Sequence, residues 1–249
     1  MPRFTESQTL ETHKIGHFGF SAVPVDELEV AQVTLATIVC DRSTSTGSFQ
    51  DEMEAAVSST ILALKGHAMS AQMLVRVVAF DNSIEEIHGF LPVESIDEKQ
   101  YSGCLSPRGM TALFDACVSA IEATENYSSQ LANSKFLNNA IVVVITDGWN
   151  NAGKFSDPSH VSKVRDSFES ASKKETLESV ATILVAVGAG SSRTELDAFH
   201  SDAGFTQPML GVETATPDAI ARVGKFVANS ISSTSMSLGT GSPSMPIQF

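Results

Sequence analysis

Four stretches of the chain are predominantly apolar or β-branched: Val33 to Cys40, Met73 to Phe80, Asn138 to Thr146 and Ala181 to Val187. Such runs predict strands covered on both faces, as in a parallel sheet. Arg76 is the one charged interruption of the second run. Between the strands the period changes to that of a helix. Phe49, Met53, Ala56, Val57, Thr60, Ile61 and Leu64 share one face, with Gly66 as the stop. Leu113, Phe114, Cys117, Val118 and Ile121 form the inward face of a helix predicted over 111–127. A polar helix over 161–179 has a sparse face of Val164, Phe168, Ala171 and Leu177, and a short one covers 194–200. Pro217 opens a last helix with Ile220, Val223, Phe226 and Val227 facing in, since proline suits a first helical turn.

Weaker signals fill the gaps. Residues 15–20 predict one short strand, and 23–29 an irregular lead-in. Residues 84–90 predict an antiparallel partner for the second strand at the sheet edge, and 207–212 a last strand. Residues 92–107 are polar and turn-rich and should cross the rim. From Ser232 the composition turns to Ser, Thr, Gly, Met and Pro, a mobile tail whose end, Met245 to Phe249, is apolar enough to dock on a neighbour. The expected division is therefore an N-terminal extension or edge element (1–30), one α/β domain (31–231) and the tail (232–249). The domain is a doubly wound, mostly parallel sheet with one antiparallel edge strand and helices on both faces. Ligands of such sheets gather at the C-terminal strand edge.

Charge and composition narrow the function classes. A formal charge of −13 over 249 residues, with no cluster of Lys and Arg, disfavours nucleic acid and anionic membrane. No apolar stretch reaches the roughly 18 residues of a membrane span, and the N-terminal residues lack a long apolar segment. Three cysteines cannot all pair. Cys40 and Cys117 read as core residues and Cys104 as exposed, with no zinc-ligand spacing. These features predict a cytoplasmic protein, with export by another route as the alternative.

The candidate chemistry lies where the strands end. Asp41, Ser43 and Ser45 follow the first strand at alternate positions, Gly109-Met110-Thr111 leads into a helix carrying Asp115, and Thr146-Asp147-Gly148 closes the third strand. Asp41, Ser43, Ser45, Thr111 and Asp147 together offer two carboxylates and three hydroxyls to one point. Hard divalent ions take such oxygen ligands. With only two carboxylates the ion stays under-neutralised and attracts an acidic ligand.

In this three-part pattern the chain resembles the von Willebrand factor type A (VWA) family with its metal-ion-dependent adhesion site, over roughly residues 33 to 230. The resemblance implies a Rossmann-like sheet with Mg²⁺, or alternatively Mn²⁺ or Ca²⁺, at the corner. It implies contact from Ser43, Ser45 and Thr111, and direct or water-mediated contact from Asp41 and Asp147. Asp115 would support the Thr111 loop from behind, and an acidic residue of a protein partner would complete the coordination. Arg42 departs from the pattern: it either faces solvent or folds over the ion, where it would repel the metal or select an acidic partner. Trp149 is either a core residue or, with Phe155, an apolar rim for the partner, a partner-binding rim that also takes in Arg42 and Asn150.

Two other readings stand beside a cation-dependent binding module. One is a structural or assembly component with an incidental or empty metal site, self-associating through its termini. The other is a metal-assisted hydrolase, which the sequence disfavours. His67, His88, His160 and His200 fall in predicted surface loops or helix ends, and none is placed to activate a serine as nucleophile. Gly188-Ala-Gly190 is too short for a phosphate loop. His13 and His17 lie four apart, but Gly16 and Gly19 argue against a helix and so against a metal pair. The chain is expected not to be an enzyme.

Overall fold

The computed structural model describes residues 10–16 and 18–238. His17 and the tail end at Met245–Phe249 therefore lie outside the described residues. Among the described residues eight strands form one sheet: β1 (Glu11–Ile15), β2 (Phe18–Ala22), β3 (Gln32–Asp41), β4 (Met73–Phe80), β5 (Ile84–Pro92), β6 (Leu137–Thr146), β7 (Val180–Val187) and β8 (Leu210–Val212). Their order across the sheet is β1-β2-β5-β4-β3-β6-β7-β8. Strands β4, β3, β6, β7 and β8 run parallel, and β5 is antiparallel to β4. The apolar runs become the central strands because both of their faces are covered.

Among the described residues five α-helices provide that cover: α1 (Gln50–Lys65), α2 (Leu113–Asn133), α3 (Val161–Lys173), α4 (Arg193–Ala203) and α5 (Pro217–Ser237). Alternation along β3 separates two cores. Ala36, Ile38 and Cys40 meet α1 and α5 through Val57, Ile61, Val223 and Val227. On the opposite face Val39 meets α2, α3 and α4 through Phe114, Val164 and Phe199. Among the described residues no helix is long and apolar enough to cross a membrane.

Helices α1 and α5 approach closely because Gly224 has no side chain. A Cβ there would lie 2.9 Å from the Ala56 carbonyl oxygen, and the Thr60 hydroxyl donates to the Gly224 carbonyl at 3.0 Å. Gly224→Val should therefore force the helices apart and lower stability by about 2 kcal/mol. A urea midpoint equal to that of the wild type would mean that the interface has slack.

Several expectations change. Residues 11–22 form a hairpin rather than one strand over 15–20, and it docks β2 beside β5. Strand β5 therefore lies inside the sheet, and β1 is the edge on that side. Helix α5 continues to Ser237, so residues 232–237 are not part of a tail. Its last turns are Ser- and Thr-rich because small side chains are what fit there: Ser230, Thr234 and Ser235 are fully buried, and Asn139 Nδ2 donates to the Thr234 carbonyl at 2.6 Å. Cys40 and Cys117 are buried, but Cys104 is half-buried against the α1 core rather than exposed. His88 is no surface residue: it is buried in β5, with Nε2 2.7 Å from the Tyr101 hydroxyl.

Candidate functional site

The C-terminal edge of the sheet brings the three predicted loops together. Asp41 is the last residue of β3, Thr111 stands just before α2 and Asp147 just after β6. Backbone ties lock the loops to one another. Arg108 N–H donates to the Arg42 carbonyl, Thr44 donates through both N–H and hydroxyl to the Gly109 carbonyl, and Ala112 N–H donates to the Asp81 carbonyl. Gly109 is obligatory in this arrangement. Its φ is +69°, and a Cβ would meet Asn82 Oδ1 at 2.1 Å, the atom that accepts from Met110 N–H.

Asp41 is 2% exposed, and both of its oxygens are used. Oδ1 accepts from Ser43 N–H at 2.7 Å, and Oδ2 accepts from the Thr146 hydroxyl at 2.6 Å. Burial raises its pKa to about 6 against the lowering effect of those hydrogen bonds, and the Asp147 charge adds to the rise. In front of it the hydroxyls of Ser43 and Ser45 are 3.1 Å apart, and Ser45 donates to Asp147 Oδ1 at 2.8 Å. Burial also raises the pKa of Asp147, opposed by the Ser45 hydrogen bond. Thr111 is buried at the same place, and its Oγ1 lies 3.7 Å from where a Cβ on Gly148 would be. Ser45, Thr111 and Asp147 line one open groove of about 460 Å³ with Trp149, Asn151 and the 188–192 turn.

These oxygens suit a small hard cation. Adjacent ligands of an octahedral ion bound at about 2.0–2.1 Å are themselves about 2.9 Å apart. The 3.1 Å and 2.8 Å separations along Ser43, Ser45 and Asp147 bracket that value. Among the described residues there is no group of three or more His, Cys, Asp or Glu able to hold a metal. The corner offers two carboxylates and several hydroxyls instead.

The flanking residues fall differently from expectation. Arg42 is not a rim residue and does not reach over the corner: it is 3% exposed and turns away, with Nε 2.9 Å from Asp81 Oδ2 and Nη2 2.7 Å from Glu85 Oε2. Arg108 binds the same two carboxylates, so the four side chains neutralise one another. Burial opposes ionisation of Asp81, but hydrogen bonds from Arg108 and Ser83 and the Arg42 charge hold its pKa near about 2. Asn150 is not a rim residue either: it is buried, accepts from Phe114 N–H at 3.0 Å and donates to the Phe155 carbonyl at 3.1 Å. Phe155 leaves the groove to line a separate depression with Glu122 and Lys163. Trp149 packs edge-on against Phe114 and Phe199, as a core residue would, and also lines the groove.

Asp115 reaches Thr111 indirectly. Its oxygens accept from Lys154 and Phe155 N–H, and the loop so held returns Asn151 Oδ1 to Thr111 N–H at 2.8 Å. Asn151 was not singled out in the sequence; its place in the polar loop after Trp149 is the only signal it carries. The five described histidines lie elsewhere: His13 stacked on Phe20, His67 accepting from Met69 N–H, His88 in β5, His160 against Phe155, and His200 bonded to the Gln207 carbonyl. Among the described residues, none of these histidines is hydrogen-bonded to a serine of the corner.

No protein-family model matches the chain, and comparison with curated proteins finds no similar sequence. Solved structures do match. The PilB minor pilin from Streptococcus sanguinis aligns with a TM-score of 0.59 at 13% identity, over 84% of this chain and 64% of that one. The pilus adhesin SpaC from Lactobacillus rhamnosus GG, in its open conformation, gives 0.58 at 11% identity, over 82% and 30%. The vWF domain of the type V pili tip protein Mfa5 from Porphyromonas gingivalis gives 0.52 at 9% identity, over 81% and 97%. The chain thus spans less than two thirds of the pilin and of the adhesin, and nearly all of the vWF domain. At these identities the likeness is one of fold: the chain has the VWA fold. It also corrects the cytoplasmic expectation, because all three of these structures are of pilus proteins.

Proposed function

We propose that this chain is a protein-docking module of an adhesive or assembly system outside the cell, using the groove at the C-terminal sheet edge. The observation that carries the proposal is the convergence of Ser43, Ser45, Thr111 and Asp147 at the head of that groove, beside Trp149. The ligand would be a divalent cation, Mg²⁺ first, held by Ser43, Ser45, Thr111 and Asp147. Asp41 would act from behind, ordering Ser43 and Thr146 through the bonds it accepts. An under-neutralised ion supplies an attraction for an acidic side chain of the partner, and Trp149 supplies apolar contact.

A second reading rests on a different observation. The hydroxyls of Ser43, Ser45 and Thr146 and the carboxylates of Asp41 and Asp147 are already tied by hydrogen bonds, so these loops hold together without an ion. An assembly role with an empty or incidental site follows from that. Calorimetric titration with Mg²⁺ of the wild type and Asp147→Ala, paired with affinity capture in Mg²⁺ and in chelator, separates the readings. Cation-dependent docking requires wild-type heat that the variant loses and a partner released by chelator. Absence of heat in both proteins, with capture unaffected by chelator, favours the metal-free role. Capture of nothing under either condition overturns docking itself.

A further inference from the structure

A second cavity lies on the α2 face of the sheet, away from the groove. It opens where β2 and β5 diverge: they pair at Ala22 and Phe90, and toward Phe18 the strands separate. The resulting space of about 300 Å³ is lined by Arg76 from β4, Ser83 and Glu86 from the β5 side, Gly19 from β2, and Asp115 and Ser119 from α2.

Two polar atoms in this lining lack partners. Arg76 is 0% exposed; its Nε donates to Glu86 Oε2 at 2.6 Å and its Nη2 lies 3.5 Å from the Gly19 carbonyl, but Nη1 has no hydrogen-bond partner. Ser119 is 2% exposed, and its hydroxyl has none either. Buried side-chain donors are nearly always paired. Two unpaired donors lining one cavity mark a place for an acceptor supplied from outside the chain.

Charge decides what kind of acceptor. Glu86 neutralises Arg76, and Asp115 adds a further negative charge to the lining. A carboxylate or phosphate would enter a site with no net positive charge, and a cation would meet the guanidinium. A neutral group that both accepts and donates suits the lining. Its oxygen would take Arg76 Nη1–H and the Ser119 hydroxyl. Its N–H would find a free lone pair on Asp115, whose oxygens each accept one bond from within the chain, or on Glu86 Oε2, which accepts only from Arg76. Glu86 Oε1, by contrast, already accepts twice from Ser21. Phe18 and Ile84 flank the opening and suit a short apolar stem. We propose that this cavity binds a primary carboxamide on such a stem, either a free small amide or the side chain of a glutamine or asparagine from a partner.

The test is a nuclear magnetic resonance titration of the full chain with propionamide, propionate, N,N-dimethylpropionamide and N-acetyl-glutamine methylamide. Propionamide is expected to give saturable shifts centred on the Arg76 side chain and Ser119. Propionate and the dimethyl amide should bind about tenfold more weakly, having lost charge compatibility and the donor respectively. Ser119→Ala should weaken propionamide about fivefold, and Ser119→Val, which fills the space, should abolish the shifts while the rest of the spectrum stays native. Tighter binding of the glutamine derivative than of propionamide assigns the site to a partner side chain; weaker binding assigns it to a free amide. The proposal is overturned by unsaturable shifts, by propionate binding as well as the amide, or by an ordered water that bridges Arg76 and Ser119 and is not displaced.

Discussion

Glu86→Gln is expected to lower folding stability by about 3–5 kcal/mol, whereas Arg76→Met should cost about 1 kcal/mol. The asymmetry comes from where the two side chains lie. Arg76 has no exposed surface, while the side chain of Glu86 is 20% exposed. Glutamine would leave the guanidinium charged and buried without a counter-ion. Its amide nitrogen would also face a donor on either side: Arg76 Nε–H, or the Ser21 N–H that donates to Glu86 at 2.9 Å. Methionine removes the buried charge itself and fills similar volume. Glu86 then keeps the N–H and hydroxyl of Ser21 and reaches solvent through its exposed part. Because Ser21 belongs to β2, Glu86→Gln should also release the N-terminal hairpin, seen as faster amide exchange over residues 18–22. Equal losses in the two urea titrations would place the value of the pair in packing rather than charge.

The same pair shows what a sequence conceals. The four central strands were legible because a β-branched apolar run admits few other placements, and the corner was legible because its residues stand at the ends of those strands. Arg76 could be read only as an interruption; its partner on β5 follows from pairing that no local pattern encodes. Arg42 is a similar case. Its neighbours in sequence belong to the corner, but Asp81 and Glu85 draw it to the far side. Those acids come within reach only through the register of β3 against β4 and of β4 against β5. The end of α5 was hidden for another reason. Serine and threonine are poor helix formers by propensity, and tertiary packing against β6 overrides that preference. Loop residues such as Asn150 were misplaced because polarity signals exposure on average, whereas this amide caps buried backbone.

In chelator, Asp41→Asn is expected to gain stability relative to the wild type as the pH rises from about 4 to 7, by at most about 3 kcal/mol. The Asp41 carboxyl has its pKa raised from 3.8 to about 6 in the folded protein, burial being the largest cause. The folded state therefore holds this proton more tightly than the unfolded chain does. The stabilisation is complete below pH 3.8 and is lost as the pH climbs through about 6. Asparagine is neutral throughout and keeps the shape. It still accepts from Ser43 N–H, and the Thr146 hydroxyl can turn to the Gly148 carbonyl, already 3.1 Å away, and accept from the new amide. Other groups titrate in or near this window. His88, its pKa lowered mainly by burial, loses its contribution as the pH falls, and Asp81 loses its own only as the pH falls toward about 2. Comparing variant with wild type cancels both, because neither group changes. Adding Mg²⁺ makes the experiment diagnostic of the corner. An ion bound beside Asp147 favours the charged carboxylates, so wild-type stability above pH 6 should recover while Asp41→Asn should gain much less. A variant-minus-wild-type difference that stays flat with pH would mean that Asp41 is charged at no cost, its hydrogen bonds outweighing its burial. A slope that appears in chelator but is unmoved by Mg²⁺ would mean that the buried acid is real and that the corner holds no ion.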